Sequence, residues 1–159
     1  MNKLNFFLRL NNITRLLIFL IASVFFTLVF NFLIKKYSLN IDNQSNSLKL
    51  EGLLKFYVLA IIAPFFETIF LNFFPVWILR KYFSNKIFVI FLSSFVFSCL
   101  HYYSLIYIIF AFFSGIILNS FLMITLMKNS ELKSVLYLIL LHSLYNIVGF
   151  LLFDIFEII

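Results

Sequence analysis

The sequence has little of the charge that a water-soluble protein needs. Charged residues make up 11% of the 159 residues, whereas hydrophobic residues make up 64%. A soluble domain has about 25% charged residues, so this chain could not cover a surface that faces water. The composition excludes a soluble enzyme, a soluble binding module, a nucleic-acid binder and a disordered chain. It leaves a polytopic helical membrane protein.

Cysteine and glycine are also scarce. The single cysteine, Cys99, excludes an internal disulfide, and its position in an apolar run predicts an inert core residue. Glycine occurs three times, whereas Phe occurs 25 times. The frequent Phe, Ile, Asn and Lys have AT-rich codons, which favours a bacterial source.

Apolar runs of about 20 residues predict transmembrane helices. Each run lies between polar or basic residues, and we expect an all-α, polytopic transmembrane helical bundle of about five spans. The first span follows Arg15 without a small-residue cleavage site, which predicts a retained anchor. We expect an anchor helix and a polar loop over 1–55 and a core over 56–159. The predicted spans are 16–34, 56–79, 87–101, 105–127 and 135–158.

The connections between the spans have their own signals. Lys35 to Lys55 is the only long polar stretch and predicts a loop. Ser130 is the predicted N-cap of the last span. Pro64 and Pro75 lie inside the second span, where neighbouring groups must satisfy the backbone that proline leaves unpaired.

The net charge of +6 reflects basic residues that flank the spans. Such residues set topology and contact anionic headgroups. With a cytoplasmic N-terminus, eight Lys and Arg fall on the cytoplasmic side and four on the other. We therefore expect an integral protein of a bacterial cytoplasmic membrane with its N-terminus in the cytoplasm.

Ionisable residues inside a membrane are costly and indicate function. Glu67 lies in the middle of the second span, His101 ends the third, and His142 and Asn146 share one face of the fifth. At 1.5 Å per residue, their predicted depths are all about 18–24 Å from the cytoplasmic side. This coincidence predicts a proteolytic site, or a metal or proton site. Asn119, isolated in the fourth span, is assigned to contacts between helices.

Three motifs in this region resemble those of the CPBP family, the Abi-type intramembrane endopeptidases that include CAAX prenyl protease 2 and bacteriocin-processing enzymes. The segment from Ala63 to Asn72 is similar to the family's E-E-x-x-x-R motif. The segments from Phe97 to His101 and from His142 to Asn146 match F-x-x-x-H and H-x-x-x-N. The order and spacing agree with the family over about 57–150.

The first motif departs from the family in two places. Thr68 stands where the family has its second glutamate, and Asn72 stands where it has arginine. The joint loss of an acid and a base suggests that the two normally compensate each other's charge, and it leaves Glu67 without that local partner. The resemblance implies that Thr68, Asn72 and Phe97 support the motifs.

The resemblance also implies a mechanism. Glu67 would activate a water molecule together with His101, and His142 and Asn146 would donate hydrogen bonds to the oxyanion. Glu67, His101 and His142 could alternatively hold zinc. The chain lacks an H-E-x-x-H motif, and we favour a site without a metal cofactor.

The expected function is an intramembrane endopeptidase that cleaves a peptide or membrane-protein substrate in the lipid bilayer, with no nucleic-acid partner. One alternative is a non-catalytic protein of the same fold with a role in bacteriocin self-immunity. Another is a transporter that relays protons or binds a metal. The transporter would have inverted repeats, which the sequence does not show.

Overall fold

The computed structural model describes residues 3–37, 52–102 and 104–152. Its elements within those ranges are all helical. They are α1 (Lys3–Arg9), α2 (Asn12–Lys36), α3 (Gly52–Tyr82), α4 (Lys86–Cys99), α5 (Leu105–Leu126) and α6 (Glu131–Phe150). The predicted all-α bundle is confirmed.

Side-chain caps define where four of these helices begin. In each, an Asn or Ser just before the helix accepts hydrogen bonds from backbone N–H groups of the first turn, which have no partner within the helix. The predicted cap Ser130 accepts from the N–H of Lys133. The other three caps are Asn11, Asn85 and Ser104.

Four helices are long and apolar enough to cross a membrane, namely α2, α3, α5 and α6. They are offset from the predicted spans by a few residues at most ends, and α6 begins four residues earlier, at Glu131. The predicted loop from Lys35 to Lys55 is shorter than expected. α2 runs on through Lys36 and α3 begins at Gly52, while residues 38–51 lie outside the described residues, as do 153–159.

The fifth apolar helix, α4, is short. It has 14 residues, which is about 21 Å of helix, less than the roughly 30 Å hydrocarbon core of a bilayer. It ends at Cys99, so the predicted span to His101 stops two residues early. Cys99 itself is exposed, and its expected place in the core was wrong because it lies on the outer face of this helix end.

Two π-helical segments interrupt α3. They cover Val58–Ile62 and Thr68–Phe73, and each is followed within two residues by a proline, Pro64 or Pro75. Proline has no N–H, and its ring clashes with the carbonyl four residues earlier. A wider turn before each proline accommodates that clash, so α3 continues through both prolines without ending.

α5 is the central helix of the bundle. Its face with small residues packs against α4, where a Cβ added at Gly115 would lie 3.2 Å from the side chains of Ser94 and Phe97. Asn119 donates a hydrogen bond to Ser94 at 3.1 Å, the inter-helix contact that was predicted for it. The hydrophobic core around α5 includes Phe19, Val76, Val89, Leu118, Phe121, Leu122, Leu138 and Leu141.

Arg15 is buried, contrary to its predicted place in front of the first span. It lies within α2 and is only 1% exposed. Its guanidinium donates to the side chain of Asn12 and, at 3.5 Å, to the carbonyl of Ile124. Arg15 therefore joins the start of α2 to the end of α5, because a buried guanidinium must find acceptors.

Candidate active site

Glu67 lies at the centre of α3. Fifteen residues separate it from each end of the 31-residue helix, so it is about 22 Å from either end. It lies between the two π-helical segments, directly before Thr68. Its side chain is 18% exposed and points toward two histidines from other helices.

His101 reaches Glu67 from the short connection after α4. Its Nε2 is 3.8 Å from Oε2 of Glu67, and the residue is only 7% exposed. Its Nδ1 is 2.7 Å from the backbone carbonyl of Phe97. A carbonyl can only accept, so Nδ1 carries a proton and Nε2 of the neutral ring is an acceptor. Because α4 ends at Cys99, this ring lies in a short non-helical connection and reaches Glu67.

Phe97 orients His101 in a second way. Its ring is buried and lies 4.4 Å from the His101 ring, centroid to centroid, with a tilt of 38°. It also has an edge-on contact with His142 at 6.3 Å. Phe97 therefore contacts both histidines.

His142 reaches Glu67 from the middle of α6. Its Nε2 is 3.6 Å from the same carboxylate oxygen, and its side chain is 4% exposed. Its Nδ1 is 3.3 Å from Oγ1 of Thr68. The sequence did not predict this contact, because it joins residues 74 positions apart.

Asn72 supports the site from within the second π-helical segment. It is fully buried, and its side-chain nitrogen donates to the backbone carbonyl of Glu67 at 3.3 Å. Its carbonyl oxygen has no hydrogen-bond partner among the described residues. Both residues that depart from the first motif, Thr68 and Asn72, thus contact the site directly.

Asn146 makes its hydrogen bond to a group other than Glu67 and the two histidines. Its side-chain nitrogen donates to the carbonyl of Leu59 at 2.8 Å, which is two turns before Glu67 on α3. This bond ties α6 to the first π-helical segment and satisfies a backbone carbonyl there. One N–H of the amide is left for another acceptor.

Tyr145 is a partly buried polar residue of α6 that was not predicted from the sequence. Its hydroxyl lies 2.7 Å from Oγ1 of Thr27, so it joins α6 to α2. Its position three residues after His142 places it on a neighbouring part of the same face. The three-residue spacing from His142 is the sequence signal that could have identified Tyr145.

The arrangement concentrates one carboxylate and two imidazoles in the interior of the bundle. Both Nε2 distances to Glu67 exceed a direct hydrogen bond, and a water molecule bonded to two of these groups fits such separations. Such a set can accept and return protons. Within the described part of the chain, no group of three or more His, Cys, Asp or Glu is arranged to hold a metal ion.

The fold and these polar groups define a class, the integral membrane proteins with a polar site among their helices. The family model described as "Type II CAAX prenyl endopeptidase Rce1-like" matches residues 49–148. This match covers more than half of the chain, and the chain belongs to that family. The predicted family relationship is confirmed. No curated protein and no solved structure matches the chain.

Proposed function

We propose that this chain is an intramembrane endopeptidase that hydrolyses a peptide bond with a water molecule activated by Glu67 and His101. One observation carries the proposal: Oε2 of Glu67 lies within 4 Å of Nε2 of both histidines, inside the helix bundle. Family membership supports a protease. A carboxylate with no role would be costly at this depth.

Glu67 and His101 act as the base. The proton on Nδ1 of His101 is held by the Phe97 carbonyl, so its Nε2 lone pair faces the carboxylate. Water bound between them transfers a proton to this pair as its oxygen attacks the substrate carbonyl carbon. The tetrahedral intermediate then collapses, the C–N bond breaks, and the leaving nitrogen takes that proton.

His142 and Asn146 stabilise the oxyanion of that intermediate. His142 is 3.6 Å from Glu67, so a carbonyl carbon attacked by water beside Glu67 has its oxygen near this ring. Asn146 is one turn further along α6 and has a free N–H beyond its bond to Leu59. Removing one such donor lowers the rate by about 10²–10³-fold.

The departures from the first motif are compatible with this chemistry. Thr68 and Asn72 are both buried and hydrogen-bonded to residues of the site. Neither brings a charge, so Glu67 and Glu131 are the only carboxylates in the described ranges. The substrate is a peptide segment that enters the bundle from the lipid bilayer. A prenylated substrate is not expected if the source is bacterial.

The decisive experiment compares cleavage by the purified protein with that by Glu67→Gln, in proteoliposomes supplied with a library of labelled membrane peptides. Glutamine keeps the size and hydrogen-bonding capacity of Glu67 but is not a base. We expect a loss of about 10²-fold or more, with folding at least as good as in the native chain because a costly ionisable group has been removed.

Glu131→Gln is the matched control. Glu131 pairs with Arg80 at the start of α6, and both side chains are substantially exposed, so loss of this pair has little effect on stability. Its cleavage rate should equal that of the native chain. Equal activity of Glu67→Gln and the native chain would refute the proposal. Cleavage by none of the proteins would favour the non-catalytic alternative.

A further inference from the structure

The hydroxyl of Thr68 is used differently from most of the other buried serine and threonine hydroxyls in the described part of the chain. Serine and threonine in membrane helices commonly donate back to a carbonyl three or four residues earlier. The only hydrogen bond that the structure shows for the Thr68 side chain instead crosses to Nδ1 of His142. The side chains that bond back to their own helix are Ser23, Thr27, Ser93, Ser94, Ser98, Thr125 and Ser134.

We propose that Thr68 donates its hydroxyl proton to Nδ1 of His142 and thereby holds the imidazole proton on Nε2. The surroundings of Nε2 favour the same tautomer, with the proton on Nε2. Nε2 is 3.6 Å from Oε2 of Glu67, and His101, protonated at Nδ1, presents only a lone pair to that same oxygen, so His142 is the ring that offers it an N–H donor. A threonine hydroxyl can donate or accept, so it adapts to the form that Glu67 favours.

The two histidines of the site are therefore held in opposite tautomers. His101 carries its proton on Nδ1, because that nitrogen faces the Phe97 carbonyl. His142 carries it on Nε2. The hydrogen bond made by one ring nitrogen decides the role of the other. On the proposed function, this makes His101 the acceptor of the site and His142 its donor, and Thr68 is a positioning residue.

Threonine also explains how the site works without the second acid of the family motif. A carboxylate at position 68 would be an acceptor only, and it would draw the His142 proton to Nδ1 or make the ring cationic. A hydroxyl leaves the ring neutral with its donor toward Glu67. The substitution therefore changes the protonation of His142 rather than removing the site.

Nitrogen NMR of the full chain labelled at histidine tests this directly. The chain has only two histidines, so two rings give the whole spectrum, and His101→Gln assigns them. At neutral pH we expect His142 to be protonated at Nε2 only, and His101 at Nδ1 only. Two results would overturn the inference: a His142 ring protonated at Nδ1 only, or a ring protonated at both nitrogens.

Two variants test whether Thr68 is the cause. Thr68→Val removes the hydroxyl at nearly constant volume, and we expect His142 to become a mixture of tautomers while the His101 signal stays. Thr68→Ser should restore the native spectrum. If Thr68→Val does not fold, the spectra of the native chain and of Thr68→Ser still show which nitrogen of His142 carries the proton. An unchanged His142 signal in folded Thr68→Val would refute the assigned role.

Catalysis supplies a second readout. Thr68→Val should lower kcat by about tenfold, the effect of one neutral hydrogen bond, with KM nearly unchanged and Thr68→Ser near native. An unchanged kcat in Thr68→Val would overturn the positioning role. The spectra do not depend on turnover. Native tautomers as expected, without any peptide cleavage, would therefore support the inference while the proposed function failed.

Discussion

The contact between α4 and α5 at Gly115 can be tested with a single methyl group. A Cβ at Gly115 would lie 3.2 Å from a ring carbon of Phe97 and 3.2 Å from the Cβ of Ser94. Both distances are shorter than ordinary carbon contacts of about 3.5–4.0 Å. Gly115→Ala must therefore push the two helices apart by a few tenths of an ångström or displace Phe97.

Gly149→Ala is the matched control, because a Cβ at Gly149 meets no atom within 4 Å. Both glycines lie inside helices, so the gain in helix propensity, about 1 kcal/mol, is common to the two variants and cancels. Overpacking costs about 1–3 kcal/mol. We therefore expect Gly115→Ala to be about 1–3 kcal/mol less stable than Gly149→Ala.

Equilibrium unfolding in mixed micelles, followed by fluorescence of the single tryptophan, Trp77, measures this difference. The displacement should also reach the site, because Phe97 holds His101 through its carbonyl and its ring. Peptide cleavage should fall in Gly115→Ala and not in Gly149→Ala. Equal free energies of unfolding for the two variants would refute the close packing of α4 and α5.

Three further expectations concern the rest of the molecule. Arg15→Met should destabilise the protein by about 1–3 kcal/mol, since the carbonyl of Ile124 and the side chain of Asn12 lose a buried donor. Arg9→Met, at an exposed position, should not change the free energy of unfolding. Equal losses of stability in the two variants would contradict the role of Arg15. A reporter fused at Asn85 should read as cytoplasmic because eight of the twelve basic residues fall on that side, and an external signal would reverse the orientation. Strong chelators should leave peptide cleavage intact with no stoichiometric zinc in the purified protein, whereas recovery of activity on adding zinc after chelation would favour a metalloprotease.

The class of this protein and the approximate positions of its helices could be predicted from local sequence alone. A chain with 11% charged residues cannot form a surface that faces water on all sides. Runs of about 20 apolar residues identify the spans from local composition alone. The spacing of three short motifs was also sufficient to predict the family that the 49–148 match confirms. These signals are local, so no tertiary contact was needed to read them.

The details of the site were decided by tertiary structure. α4 ends two residues before His101, and only its packing shows that this early end places the ring beside Glu67. The contact between Thr68 and His142 joins residues 74 positions apart, and no periodicity within either helix contains it. Asn146 likewise shares a helix face with His142, yet its side-chain amide donates a hydrogen bond to the backbone carbonyl of Leu59 on another helix.

Arg15 shows the same limit. In the sequence it is one of several basic residues before an apolar run, and the rule for such residues predicts a headgroup contact. In the structure it is buried, because the carbonyl of Ile124, 109 positions away, lies within reach of its guanidinium. Composition determines that a segment enters the membrane, whereas the neighbours that satisfy each polar group there depend on how the helices pack.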